Sequence, residues 1–240
     1  MIFRLKMSKN MNRVFGKSAV SGASMECNAM AKIIITEQEP GIDPEAGAGV
    51  RHLDDVQLDR LMEAFAIWHD AAASSYIRRV RGRYRLAFLL LRYTGARLGE
   101  ILRVDDASDI DYEGCEVRIA VRMPAAMRQV LRAVPLPPDV VAAVLDYLNE
   151  FPAMQGRVFA LDQGNFRREF YRRAEEARIP RPLSHPHILR HTRAIEMLRA
   201  GVPLTVVQDI LGHVLSSSTT VYLQRPEVMI RRILKDRGLL

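Results

Sequence analysis

Lysine is almost absent from most of this sequence. The five lysines stand at Lys6, Lys9, Lys17, Lys32 and Lys235, so every permanent cation between the last two is an arginine. Arginine suits bidentate contact with phosphate, because its guanidinium is a planar fork of donors. A GC-rich genome, which favours arginine codons, is the alternative. It explains more of the bias, because the arginines extend over segments of every kind.

Cysteine is scarce, and long apolar runs are missing. Cys27 and Cys115 are far apart and lack metal-ligand spacing, which argues against a disulfide framework and predicts reduced thiols in a reducing compartment. No apolar run approaches the ~20 residues that a membrane-spanning helix needs. The N-terminus starts basic but has no clean apolar core or cleavage site, so no secretory signal is predicted. We therefore expect a cytoplasmic protein.

The remaining composition is that of a globular protein that carries excess positive charge. Hydrophobic residues make up 48% and charged residues 26% of the 240 residues, enough for a sizeable core. The formal net charge is +7, and the pI is about 9.7. Such a charge favours a polyanionic partner, because each neutralised phosphate releases condensed counterions. The support for nucleic acid is moderate, since many basic proteins bind none.

Two regions differ in character. Residues 1–50 hold four of the five lysines, five methionines and a Pro/Gly/Ala-rich stretch over 39–50. They predict a flexible or irregular N-terminal arm, or an upstream extension of the reading frame. From residue 51 the hydrophobic pattern becomes regular, so we expect a single domain over 51–240.

Within that domain the periodicity is mostly helical. Asp54 or Asp55 is a candidate cap for a first helix that reaches Trp68, and Val117, Ile119 and Val121 alternate as in a half-buried strand with a hairpin partner over 129–134. Further helices are predicted over 74–93, 98–103, 139–150, 165–177, 187–200, 204–211, 217–223 and 226–236. The predicted fold class is mainly α with a small antiparallel β-sheet (α+β).

An arginine follows a glycine break in the segment 94–100. There Arg97 sits near a helix N-terminus, where its guanidinium and the backbone N–H groups can point at one anion. Glu100 comes one turn later and could orient Arg97. By itself the motif is more often a surface ion pair at i,i+3 spacing.

A histidine-rich segment follows at 185–191. His187 and Arg190 are three residues apart and share a helix face, an arrangement that suits a phosphate, because arginine neutralises charge and histidine donates or moves a proton. Metal binding through His187 and His191 is the rival interpretation. It lacks the glutamate of an H-E-x-x-H motif, and Arg190 would repel a cation. His185 and His191 could equally cap the helix start.

Two further segments say little when taken alone. Gly212 followed by His213 is a common helix C-cap pattern. Tyr222 follows a run of small hydroxyl residues over 216–220, and a lone tyrosine on a helix is usually part of a core or an interface.

Taken together, the four segments resemble the tyrosine recombinase (phage integrase) family. That family's motifs read T-G-x-R-x-x-E, H-x-L-R-H, L-G-H and a tyrosine about nine residues after the last histidine. All four are present here in that order, with 26 residues from His187 to His213 and 9 from His213 to Tyr222. The segments 51–53 and 134–137 also look like the start of the family's catalytic domain and its post-hairpin segment. The resemblance covers roughly residues 51–235.

The resemblance implies the family's catalytic-domain architecture and a cofactor-free reaction on double-stranded DNA. In the family, the tyrosine forms a 3′-phosphotyrosyl bond and releases a 5′-hydroxyl, which later attacks a second phosphotyrosine. Tyr222 would be the nucleophile, and Arg97 and Arg190 would stabilise the transition-state charge. His213 would add a hydrogen bond, and His187 would help to deprotonate the tyrosine. Integration, inversion and resolution stay open as outcomes.

The sequence departs from the family at the general acid. The family uses a lysine on the small hairpin, whereas Arg122 stands at that position here and Arg128 is a second candidate. Arginine gives up a proton reluctantly, because its pKa is about 12.5 or higher, but it can stabilise an alkoxide electrostatically. A catalytically impaired DNA-binding protein that retains the fold is therefore the alternative function. A metallohydrolase using His185, His187 and His191 is a distant third.

The ends of the chain carry the remaining expectations. Family members usually have a helical core-binding domain of about a hundred residues before the catalytic domain, and 50 irregular residues cannot form it. The tail over 226–240 has two interpretations of equal weight: it packs on its own core, or, as the resemblance implies, it docks on a neighbouring protomer. The second predicts a homo-oligomer on DNA, from dimer to tetramer. Because the resemblance implies DNA as the partner, we expect the protein at the nucleoid.

Overall fold

The structure is a computed structural model that describes residues 51–122, 129–212 and 227–240, with side chains unassigned at 121, 122, 129, 130 and 227–229. The predicted N-terminal arm over 1–50 and the predicted helix over 217–223 lie outside the described residues. Within them, helices surround one small sheet.

Two helices begin the described chain. Helix α1 spans Asp55–Asp70, and Asp54 caps it through a reciprocal pair of bonds with Gln57. Helix α2 spans Ser75–Thr94 and ends at Gly95, whose left-handed φ of 63° is typical of a helix terminus. Six consecutive residues of α2, from Leu86 to Leu91, are buried. Such a run is enclosed on every side, so α2 is the central helix.

A short helix and the sheet come next. Helix α3 spans only Leu98–Ile101. The antiparallel strands β1 (Ile110–Asp111), β2 (Glu116–Arg122) and β3 (Gln129–Pro135) lie in that order. The alternation predicted for β2 is confirmed at Val117 and Ile119, which are fully buried, whereas the side chain of Val121 lies outside those described. Strand β1 was missed, since two residues are too few to show a period.

The second half of the described chain is helical. Helix α4 spans Pro138–Glu150, α5 Gln163–Glu176, α6 Ile188–Arg199, α7 Leu204–Leu211 and α8 Glu227–Asp236. Short 3-10 turns occupy Pro152–Met154 and Arg181–Leu183. The observed bounds differ from the predicted ones by one or two residues at the helix ends; α3, for example, stops two residues early. The predicted fold class is confirmed.

Helix α2 anchors the core, because α1, α4 and α6 all contact it. Phe65 of α1 stacks on Phe88 of α2 with ring centroids 4.1 Å apart, and Phe170 of α5 completes this aromatic group. The glycine cap of α2 also meets the first turn of α6, because Arg190 Nη1 donates to the Gly95 carbonyl at 3.0 Å. None of the helices in the described ranges is long and apolar enough to cross a membrane.

Candidate active site

Arg97 stands at the first turn after the central helix. Gly95 turns the chain out of α2, and Arg97 is the N-cap residue of α3, with an extended backbone. Its side chain is 42% exposed, and its Nη1 lies 3.4 Å from Glu100 Oε1. The backbone N–H of Arg97 also donates to Glu100 Oε2 at 3.0 Å. These contacts are the geometry expected if Glu100 orients Arg97, whose side chain is partly exposed to solvent.

Glu100 has a second, closer arginine partner that sequence reasoning missed. Arg132 of β3 donates from Nη2 to Glu100 Oε2 at 2.7 Å, and both side chains are more than nine-tenths buried. Arg132 pairs with buried Ile119 in the sheet register, so it occupies an inward position. The signal was available, because Arg132 lies midway between Val130 and Val134 where strand alternation predicts an apolar residue.

The electrostatics of Glu100 follow from these neighbours. Burial by itself would raise the pKa of the Glu100 carboxyl. The charge and hydrogen bond of Arg132 oppose that effect, and the backbone N–H and the charge of Arg97 add to the opposition, so the pKa lies below its ordinary value. Glu100 is therefore an ionised bridge between an exposed and a buried arginine.

Arg190 lies inside the protein rather than on its surface. It is 5% exposed, and its Nη1 donates to the carbonyl oxygens of Gly95 at 3.0 Å and Leu211 at 2.8 Å. Gly95 precedes Arg97 by two residues, so the two predicted phosphate-binding arginines belong to adjoining segments. Arg190 thus fixes the turn before Arg97 and the end of α7 in one place.

The C-terminus of α7 is held by two arginines. Arg132 Nε donates to the Ile210 carbonyl at 2.9 Å, and Arg190 donates to the next carbonyl, that of Leu211. Terminal helix carbonyls have no partner within the helix, and the guanidiniums satisfy them here. The chain then turns at Gly212, whose φ is 74°. His213, the next residue, lies outside the described residues.

The histidines lie at the start of α6. His187 is its N-cap residue and is half-buried, one turn before Arg190. Its ring meets that of His191 edge to face, with centroids 4.7 Å apart. Burial lowers the pKa of His185, and the Arg51 charge lowers it further, against a hydrogen bond to the Pro182 carbonyl that raises it. Within the described ranges no three potential metal ligands cluster.

The segment before α1 also reaches this region. The backbone N–H of Leu53 donates to Thr192 Oγ1 at 3.0 Å, and His52 Nε2 lies 2.9 Å from Arg199 Nη2. Residues 52 and 53 therefore contact α6 at Arg199 and Thr192, and the Arg51 charge acts on His185. This contact ties the start of the described chain to the candidate site.

The remaining predicted site residues lie at the edge of the described ranges or outside them. Arg122 is the last residue of β2, opposite Gln129, which agrees with its predicted place at the strand end. His213, Tyr222 and Arg128 lie outside the described residues. The structure therefore brings together the segments of Arg97, Glu100, His187 and Arg190. The roles of these four residues stay predictions, and so do those of Arg122, Arg128, His213 and Tyr222.

Comparisons with known proteins agree with this architecture. The model of the phage integrase family matches residues 51–227. A Sinorhizobium fredii protein named as an integrase/recombinase is 34% identical over 158 residues, which cover 61% of this chain and 79% of that one. A tyrosine recombinase of Thermosipho africanus is 32% identical over 151 residues, covering 59% of this chain and 49% of that protein.

A solved structure shares the fold. The XerH site-specific recombinase, bound to difH substrate in a pre-cleavage complex, superposes with a TM-score of 0.56 at 23% identity. The match covers 75% of this chain and 52% of XerH, so this chain spans about half the length of XerH and of the Thermosipho relative. With its arginine, histidine and tyrosine motifs in order and the family model matched over most of its length, the chain belongs to the phage integrase family.

Proposed function

We propose that this protein is a site-specific tyrosine recombinase that breaks and rejoins double-stranded DNA through residues 51–240. The observation that carries the proposal is the joining of the Arg97 and Arg190 segments, since Arg190 donates directly to the Gly95 carbonyl at the turn before Arg97. Two guanidiniums on neighbouring, well-packed segments can stabilise the added negative charge of a pentacovalent phosphorane. Family membership adds support.

In the proposed reaction, each group has one task. Tyr222 Oη attacks the DNA phosphorus and passes its proton toward His187, because a phenol with a pKa near 10 is a weak nucleophile at neutral pH. The bond from phosphorus to the 5′-oxygen breaks. That oxygen takes up a proton from solvent water and leaves as a 5′-hydroxyl, while the proton received by His187 returns to solvent. Arg97, Arg190 and His213 stabilise the phosphate oxygens. The reverse attack by another 5′-hydroxyl rejoins the strands.

The supporting groups need no cofactor or metal in this scheme. Two fixed guanidiniums supply the positive charge, and the phosphotyrosyl bond conserves the energy of the phosphodiester. Glu100 supports Arg97, as the 3.4 Å contact between them suggests. We propose that Arg122 stabilises the leaving oxygen by charge rather than by proton donation, since arginine holds its proton tightly.

The proposed setting is DNA in the cytoplasm, at the nucleoid. The relative XerH is described as a site-specific recombinase bound to difH substrate, and we extend DNA binding to this chain on that basis. Pairwise strand exchange needs more than one protomer, so we propose assembly on DNA as a dimer or tetramer through the 226–240 tail.

Covalent capture tests the proposal. Purified protein is incubated with a pool of nicked duplex DNAs of randomised sequence, in which the small fragment that carries the 5′-hydroxyl diffuses away after cleavage. We expect a denaturant-resistant protein–DNA adduct that is lost in Tyr222→Phe. Tyr171→Phe is the matched control, because Tyr171 is an exposed tyrosine on α5. Binding without any adduct would leave the catalytically impaired DNA-binding protein as the function.

The unusual arginine at the strand end gives a second test. If Arg122 is a poor substitute for a proton donor, Arg122→Lys should raise the single-turnover rate of adduct formation by roughly tenfold, because general acid catalysis contributes about 10²–10⁴-fold in full. The measurement is a time course on the captured DNA at fixed pH. An unchanged or lower rate would mean that arginine is adapted to this position.

A further inference from the structure

We propose that Arg132 is a positioning residue of this site, which fixes Arg97 and the segment that leads to His213 relative to one another. No sequence motif of the site includes it. The inference rests on the proposed recombinase function and extends it to a residue outside the predicted set. Three contacts made by one buried guanidinium carry it.

The first contact reaches the Arg97 side of the site. Arg132 Nη2 donates to Glu100 Oε2 at 2.7 Å, and Glu100 in turn accepts from the backbone N–H of Arg97. With Arg132 in place, Glu100 is charged and fixed, so it can hold the α3 turn and leave Arg97 facing solvent. The pair acts on Arg97 without either member needing to touch substrate.

The second contact reaches the opposite side. Arg132 Nε donates to the carbonyl of Ile210 at 2.9 Å, near the end of α7. Glu100 and Ile210 are more than a hundred residues apart in sequence, and one planar group bonds to both. The spacing between the Arg97 turn and the end of α7 is therefore set by the fixed geometry of a guanidinium.

The third contact is with Gly212. A side-chain carbon at Gly212 would run into Arg132 Nη1, and would also lie 2.8 Å from the Arg132 Cζ. Gly212 therefore has two reasons to be glycine, its left-handed backbone and the guanidinium against it. Within the part of the chain that the structure describes, Arg132 Nη1 has no hydrogen-bond partner. This buried donor lies where the backbone leaves α7 toward His213.

Stability alone does not require this arrangement. Burial lowers the pKa of Arg132, which reflects the cost of keeping its charge out of water. A well-packed apolar residue at such an inward strand position is often as stabilising as a buried ion pair. A lysine could not replace Arg132 either, because a single ammonium cannot occupy the Nε and Nη2 positions together and so cannot bond to Ile210 and Glu100 in this geometry.

Two substitutions and a matched control distinguish a positioning role of Arg132 from an effect on folding alone. Arg132→Lys and Arg132→Gln should lower the single-turnover rate of covalent adduct formation by about 100-fold, the loss typical of a misplacement near 1 Å. DNA affinity should change by less than about threefold, because the exposed phosphate contacts remain. Arg83→Lys is the control, since Arg83 also clamps carbonyls, those of 157, 158 and 160, away from the site. It should lower the melting temperature but leave the rate of the folded protein unchanged.

The pH dependence of the cleavage rate is a readout that a purely structural role of Arg132 would not change. Arg97 and Arg132 are the charged groups bonded to Glu100. Without Arg132, burial would raise the pKa of Glu100, so Arg132→Gln should lose cleavage as the pH falls, whereas the wild type should show no such loss from this group. The double variant Glu100→Gln/Arg132→Gln should lack the acid limb and be no slower than Arg132→Gln.

Gly212→Ala provides a second route if an Arg132 variant folds poorly. Its new Cβ would displace the guanidinium while the charge stays in the protein, and the same loss of rate is expected. The inference is overturned if the wild type forms adduct and Arg132→Lys forms it equally fast, or if rate and affinity fall only with the folded fraction. Absence of adduct from the wild type itself refutes the proposed function, and this inference with it.

Discussion

Arginine side chains in this protein act repeatedly as carbonyl clamps. Arg83 binds the carbonyls of residues 157, 158 and 160, Arg132 that of Ile210, and Arg190 those of Gly95 and Leu211. Each clamp joins segments that are distant in sequence. A planar fork of donors suits a set of bonds to several carbonyls, as in the three that Arg83 makes from Nε and Nη2. The abundance of arginine thus has a structural use, in addition to the codon and phosphate interpretations.

His185 supplies a pH dependence at the scale of one residue. Its folded pKa lies below its ordinary value of 6.5, mainly because of burial and then the Arg51 charge. The unfolded chain therefore binds the proton more readily, and stability is lost as the pH falls from about 6.5 through the folded pKa. Urea unfolding from about pH 7.5 to about pH 5 should show less acid sensitivity in His185→Gln. Identical slopes in the two proteins would contradict this.

At the scale of elements, the ends of the helices place the predicted site residues more directly than their middles do. Helices α2 and α7 both end at a glycine with positive φ, and both ends are held by Arg190. Arg97 follows Gly95 by two residues, and His213 directly follows Gly212. Arg97 and His213 therefore follow two helix termini at which a glycine and the Arg190 guanidinium set the backbone direction.

Gly95 gives a prediction for these termini. An alanine there would adopt a left-handed φ of 63°, and its Cβ would lie 2.6 Å from Leu211 Cδ2. We expect a loss of about 2–3 kcal/mol of unfolding free energy, from the backbone strain and the displaced leucine. Gly99→Ala is the control, because its nearest neighbour is 4.0 Å away and its φ is not positive. It should be neutral or slightly stabilising, and equal losses in both would disprove the argument.

At the scale of the whole molecule, the tail folds back on its own core. Ile230 and Leu234 of α8 are buried, and Arg231 donates to the carbonyls of Gly114 and Cys115. The Leu239 carbonyl accepts from Arg193 at 3.2 Å. Of the two interpretations of the 226–240 tail, packing on its own core is the one seen in the single chain. Assembly through the tail remains a proposal.

Leu234 tests this packing. It is fully buried, so Leu234→Ala should cost about 3 kcal/mol of unfolding free energy through lost burial and the resulting cavity. Arg232→Ala is the control on the same helix, with a side chain 83% exposed, and should change stability by less than about 0.5 kcal/mol. Urea unfolding at two protein concentrations gives both values. A neutral Leu234→Ala would place the tail elsewhere in solution.

Local signals were enough for much of the fold. The cap at Asp54 or Asp55, the break at Gly95 and the alternation of Val117 and Ile119 each depend on near neighbours. The structure confirms the break and the alternation, and of the two candidate caps it has Asp54. The two-residue strand β1 has no period to detect, and it exists because Ile110 pairs with Val117 across a turn. The sequence-based predictions failed for features, such as β1, that depend on a specific pairing partner rather than on a pattern of residues along the chain.

The sequence by itself determined the order of the motifs, the helical character and the family, because these depend on residue type and spacing along the chain. Only the tertiary structure decided that Arg190 is a buried clamp, that Glu100 bridges two arginines and that Arg132 belongs with them. Glu100 and Ile210 meet at Arg132 through folding alone. A charged side chain at an inward strand position hints at a partner, but which segment supplies it depends on how helices and sheet pack.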